Sequence, residues 1–132
     1  MTENEVFAVP INYVGKGAWT MPLKGTGFGV VFEDSGETGY FYATTENFQN
    51  VYDTLHLYDT KEGDVLTSAD EIFIVWSPTL LKAAMYYHEK FQAVIDFKNQ
   101  KACCRTGFPT PKEDWCKSSH EWDDSLVKGL ER

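Results

Sequence analysis

The sequence predicts an α+β domain: a curved, mainly antiparallel sheet of five to seven strands, a short mid-chain helix and a short C-terminal helix. Three observations carry that prediction. Phe28, Val30 and Phe32 alternate with Gly29, Val31 and Glu33 at the two-residue period of a strand. The run Asp34-Ser35-Gly36-Glu37-Thr38-Gly39 is turn chemistry, and Tyr40-Phe41-Tyr42-Ala43 returns from it as the second arm of a hairpin. Glu71-Ile72-Phe73-Ile74-Val75-Trp76 is apolar on both faces and stops at Ser77-Pro78, as a central strand does.

The remaining elements follow in chain order. Val6 to Val9, before Pro10, is a short first strand. Residues 15–26 contain Gly15, Gly17, Pro22 and Gly25 and read as a loop around a buried Trp19. Thr45 can cap a helix on which Phe48, Val51, Tyr52 and Leu55 share one face at i, i+3, i+4 and i+7. That helix gives way to a strand near Thr54, where Leu55-His56-Leu57-Tyr58 alternates; residues 59–64 are a polar loop. Residues 78–97 fit two structures. A long helix would start on Ser77-Pro78 and bury Leu81, Ala84, Met85, His88, Phe91 and Ile95, and local pattern narrowly favours it. Two strands turning at His88-Glu89-Lys90 would instead set Leu81, Ala83, Met85 and Tyr87 on one side. Pro109 and Pro111 end any strand carrying Cys103 and Cys104. Trp122, Leu126 and Leu130, four apart, are the apolar edge of a closing helix.

A chain of 132 residues forms one domain, residues 1–132, with frayed ends expected at 1–5 and 130–132. No apolar run reaches membrane-spanning length, and Met1-Thr2-Glu3-Asn4-Glu5 lacks a basic, apolar leader, so a cytoplasmic location is expected. In a reducing compartment Cys103, Cys104 and Cys116 are expected as free thiols. The net charge of −8 is unevenly spread. Residues 1–66 hold three basic and ten acidic side chains, against nine and ten in residues 67–132. Such a surface repels nucleic-acid phosphates and complements a basic protein.

Candidate chemistry is sparse. Cys103 or Cys104 with Cys116 and His120 makes three potential zinc ligands, but there is no C-x-x-C pair and a closed structural site needs four. The acidic turn lacks the spacing and distal glutamate of a calcium loop. Cys104 with His120 could form a nucleophile pair, with Arg105 lowering the thiol pKa, yet no oxyanion hole or orienting group accompanies it. The sequence therefore predicts no catalytic set, no metal and no cofactor. Arg105 is expected to pair with Asp96 or Asp123 and hold down the C-terminal segment. His120 is expected in a structural hydrogen bond, and Trp122 is expected to bury as the closing helix docks. Tyr40, Tyr42, Trp76, Tyr86 and Tyr87 could line a ligand pocket on an aromatic sheet face.

The acidic turn from Phe32 to Tyr42, the run Cys104-Arg105-Thr106-Gly107-Phe108-Pro109, Trp115, and His120-Glu121-Trp122-Asp123 together resemble DUF2251, a small bacterial family of unknown function. The resemblance runs from about Phe28 to Trp122, with Cys104 and His120 at matching positions and Cys103 and Cys116 outside them. It implies a hairpin over residues 78–97, because relatives carry a glycine-containing turn there. It names no chemistry. The functional expectation is a small acidic protein-binding module, most concretely an immunity- or antitoxin-like protein neutralising a basic toxin or nuclease. Its partner-binding residues would be Glu33, Asp34, Glu37, Asp53 and Asp59, enlarged by Glu62 and Asp64. A small-molecule-binding or regulatory domain is the alternative.

Overall fold

Strand alternation extends further than the sequence suggests, and the regular structure of the described residues is nearly all strand. A computed structural model describes residues 5–59, 65–111 and 114–131. Its strands are β1 (Phe7–Ile11), β2 (Gly17–Leu23), β3 (Phe28–Asp34), β4 (Thr38–Thr45), β5 (Val51–Asp59), β6 (Ile72–Ser77), β7 (Lys82–Tyr87), β8 (Lys90–Asp96) and β9 (Lys101–Cys104). They form two antiparallel sheets, ordered β1-β6-β7-β8-β9 and β2-β3-β4-β5. The architecture is an all-β sandwich, which corrects the α+β expectation of one sheet with five to seven strands and two helices.

Each miss has a local cause. The mid-chain helix fails because Thr45–Asn50 is a hairpin loop. Phe48 sits at positive φ, and the Asn47 side-chain oxygen accepts the Gln49 N–H at 3.2 Å. The chain then returns as β5, with Asp53, Leu55 and Leu57 buried at alternate positions while Val51, assigned to the helix's apolar face, is exposed. At the C-terminus a single 3₁₀ turn, Asp124–Val127, replaces the helix, and Gly129 follows at a positive φ of 89°. Leu126 and Leu130 still dock; Leu130, expected at a frayed end, is only 2 % exposed. Residues 17–23 are an edge strand rather than a loop, and an edge tolerates Pro22. The hairpin over residues 78–97 is present, turning at His88 and Glu89, both at positive φ.

The main core lies between the sheets. Val30, Phe32, Phe41 and Leu55 from the four-stranded sheet meet Ile74, Met85, Ile95 and Cys104 from the five-stranded one. Phe28 stacks on Phe97 with ring centroids 4.5 Å apart, joining the two layers directly. A second cluster on the outer face of the five-stranded sheet packs Val75, Ala84, Val94 and Cys103 under Leu126 and Leu130. Among the described residues no helix is long and apolar enough to cross a membrane.

Close approach fixes Gly39 as glycine. Gly39 faces Tyr58 across β4 and β5, and a Cβ there would run into the tyrosine ring. The space lets the Tyr58 hydroxyl donate to Asp34 Oδ2 at 2.6 Å. Gly39→Ala displaces that ring, so we expect about 1–3 kcal/mol of overpacking cost plus the loss of a charged hydrogen bond. Urea denaturation measures it, and an unchanged midpoint would contradict this packing.

Candidate functional site

The free edge of β5 decides where the candidate site forms. An unpaired edge strand invites pairing, and here the segment after β9 covers it. The His56 N–H donates to the Phe108 carbonyl at 2.8 Å, and Thr106 Oγ1 donates to the His56 carbonyl at 2.7 Å. The chain then runs through Pro109–Pro111 and leaves a cleft of about 340 Å³ beside the outer face of the four-stranded sheet. Tyr40, Tyr42, Val51 and Thr54 line one side, Pro109–Pro111 the other, and the cleft reaches Asp53 and His120. Phe108, next to Pro109, is 64 % exposed.

His120 is 1 % exposed and sits between two acceptors. Its Nδ1 meets the Pro109 carbonyl, and its Nε2 lies 2.8 Å from Asp53 Oδ2. Neither partner can donate, because a carbonyl has no proton and an ionised carboxylate has none either. Both ring nitrogens must therefore donate, which requires the imidazolium. Burial alone would lower the His120 pKa, but the bond to Asp53, the nearby Cys116 thiol and the Pro109 carbonyl together push it up to about 10. Asp53 Oδ1 accepts the Thr54 N–H at 3.0 Å, which fixes the carboxylate. The ion pair thus clamps together β5, the proline loop and the segment before the 3₁₀ turn. The Cys104 N–H adds a fourth tie by donating to the His120 carbonyl at 3.1 Å.

The expected acidic surface is split by this arrangement. Asp53 is buried in the clamp and Asp34 is buried beneath the hairpin, so neither presents a carboxylate to a partner. Asp34 accepts hydrogen bonds from Tyr58 and Tyr13 at Oδ2 and from the Gly36 N–H at Oδ1. Burial would raise its pKa, but these three donors hold it below the usual carboxylate value. Glu37 is exposed, and Glu33 and Asp59 are half-buried. The Glu33 carboxylate accepts the Tyr42 hydroxyl at 2.9 Å on the outer sheet face. Glu62 and Asp64 lie outside the described residues.

The other candidates separate as well. Cys104 Sγ donates to the Phe108 carbonyl at 3.3 Å, while both His120 nitrogens are occupied, so the proposed nucleophile pair does not form. Arg105 pairs with neither Asp96 nor Asp123. Its Nε donates to the Phe91 carbonyl at 2.9 Å and its guanidinium lies 3.5 Å over the Trp122 ring. It reaches the C-terminal segment through an aromatic face because both carboxylates are already used. Asp96 caps the turn at Asn99, and Asp123 accepts from Ser125 at the 3₁₀ turn. Trp122 is half-buried rather than buried, with Nε1 donating to Asp124 at 2.6 Å. Of the five aromatics expected in one pocket, only Tyr40 and Tyr42 line this cleft; Tyr86 lines another and Tyr87 is core.

The profile of a family described as "uncharacterized protein conserved in bacteria" matches residues 13–131. The chain belongs to DUF2251. The DUF2251 match takes in every residue of the cleft and clamp named above. An uncharacterized protein of Haemophilus influenzae is 34 % identical over 86 residues, covering 64 % of this chain and 53 % of that relative. This DUF2251 chain thus spans about half the length of the relative. No solved structure matches it.

The pairing of Asp53 with His120 was missed in the sequence because 67 positions separate them and nothing local links them. It has a pH signature. A histidine whose pKa is raised on folding stabilises fully below its unfolded value, and that stability drains as pH rises toward 10. In chelator-treated protein we expect a loss on the order of a few kcal/mol between pH 6.5 and 10. Asp53→Asn should start less stable and show a much shallower slope. Parallel slopes in urea unfolding across that range would refute the charged clamp.

Proposed function

We propose that this domain is a protein-binding module that engages a basic partner through the outer face of its four-stranded sheet. The observation that carries the reading is the Tyr42–Glu33 pair. A carboxylate is held by a tyrosine hydroxyl on an open sheet face, beside Tyr40 and a cleft rimmed by exposed Val51. Tyrosines supply large rigid contact area at low entropy cost, and interface hot spots favour them. The excess of acidic residues in the first half of the chain favours a cationic counterpart and speeds its encounter.

This reading sets the contact surface on the sheet face rather than at the hairpin tip. With Asp34 and Asp53 withdrawn, Glu33 remains from the expected acidic set as the carboxylate joined to the aromatic face. The narrower form of the reading is an immunity- or antitoxin-like protein that neutralises a basic toxin. A sheet face presenting carboxylate and tyrosine together would plug a cationic active site and exclude its substrate phosphates.

The test compares capture from lysate of the native host by the wild-type chain and by a Glu33→Lys, Tyr42→Ala double variant, each checked for folding by its thermal melt. We expect one basic protein to be retained at low salt and released as ionic strength rises. The double variant should retain at least about tenfold less, the scale of one lost hot spot. Equal retention by both proteins, or binding indifferent to salt, would overturn the proposal.

A further inference from the structure

Asp53, Cys116 and His120 bring a carboxylate, a thiol and an imidazole together, and Asp53 and His120 of the three line the cleft. Their ligand atoms all lie within 4.8 Å of one another. Cys116 and His120 are spaced C-x₃-H in the segment after β9, and β5 of the four-stranded sheet supplies the third donor. The site is also pre-oriented. Metal-bound histidines usually hold their second nitrogen on a carbonyl, and the Pro109 carbonyl occupies that place at Nδ1, which directs Nε2 toward Asp53. The Cys116 thiol donates to the Ser118 carbonyl at 3.4 Å, and the Ser118 hydroxyl, 3.7 Å from Sγ, donates to the Ala102 carbonyl at 3.5 Å.

We propose that Asp53, Cys116 and His120 bind one divalent transition-metal ion of the zinc type, with a fourth coordination position served from the cleft. The donor set selects the class. A thiolate and an imidazole suit zinc, whereas magnesium and calcium require oxygen ligands. Three protein ligands rather than four is the pattern of an open site that keeps an exchangeable position. Charge also fits a divalent ion. Binding forms bonds from the metal to Sγ, Nε2 and the Asp53 carboxylate and releases the Sγ and Nε2 protons to solvent. Two positive charges replace two protons, so the charge of the buried site is unchanged and nothing is oxidised or reduced. This proposal is independent of the protein-binding reading, because purified protein alone tests it.

Chelator-treated protein is titrated with Zn²⁺ by calorimetry and with Co²⁺ by absorption spectroscopy. We expect one equivalent bound, tetrahedral cobalt bands and a thiolate-to-cobalt charge-transfer band in the near ultraviolet. Cys116→Ser, with unchanged far-ultraviolet circular dichroism, should lose that band and bind Zn²⁺ at least about tenfold more weakly. Cys103→Ser should keep both. No binding tighter than about 100 μM, cobalt bound without a thiolate band, or a band that survives Cys116→Ser would each overturn the site.

Discussion

A buried imidazole with an acceptor on each nitrogen is the constraint around which the candidate site is arranged. With Asp53 as the carboxylate, His120 satisfies Pro109 and Asp53 together as a cation, and a buried cation is tolerable only beside a fixed anion. That requirement locks the edge strand β5, the proline loop and the C-terminal segment into one body, although they are far apart in the chain. The cleft is a by-product of the lock. Its walls are the sheet face and the loop, and its inner end is the ion pair itself.

The same logic explains why net charge is a poor guide to surface charge here. The first half of the chain carries a large acidic excess, yet two of its aspartates are consumed inside. Asp34 anchors two tyrosines and the hairpin turn, and Asp53 anchors the histidine. Glu33 stays on the outer sheet face and accepts the Tyr42 hydroxyl, while Arg105 stacks on Trp122 rather than pairing with a carboxylate. The outer face beside the cleft is therefore mixed, with tyrosine area and a held carboxylate.

Local strand chemistry was legible in the sequence. The β3–β4 hairpin and the β6 strand were readable from period-two alternation, and the β7–β8 hairpin became readable through the family resemblance. The mid-chain helix misread had a definite origin: Phe48, Val51, Tyr52 and Leu55 satisfy helical spacing, but Val51 and Tyr52 are also good strand residues and pairing with β4 decided between them. The closing helix stops after one turn, with Asp123 capping its start and Gly129 at positive φ following its end, though the apolar residues dock regardless. The site was far less legible. Cys116 and His120 could be noticed together, but their partner is Asp53, and only the fold places β5 against that segment. Charge composition assigned Asp53 to the surface because composition carries no information on burial.

The most direct measurement is nitrogen-15 NMR of the His120 ring in chelator-treated protein at pH 8. The charged clamp predicts that Nδ1 and Nε2 both carry protons, with imidazolium shifts and slowly exchanging ring hydrogens. A neutral ring with one bare nitrogen at that pH would contradict it.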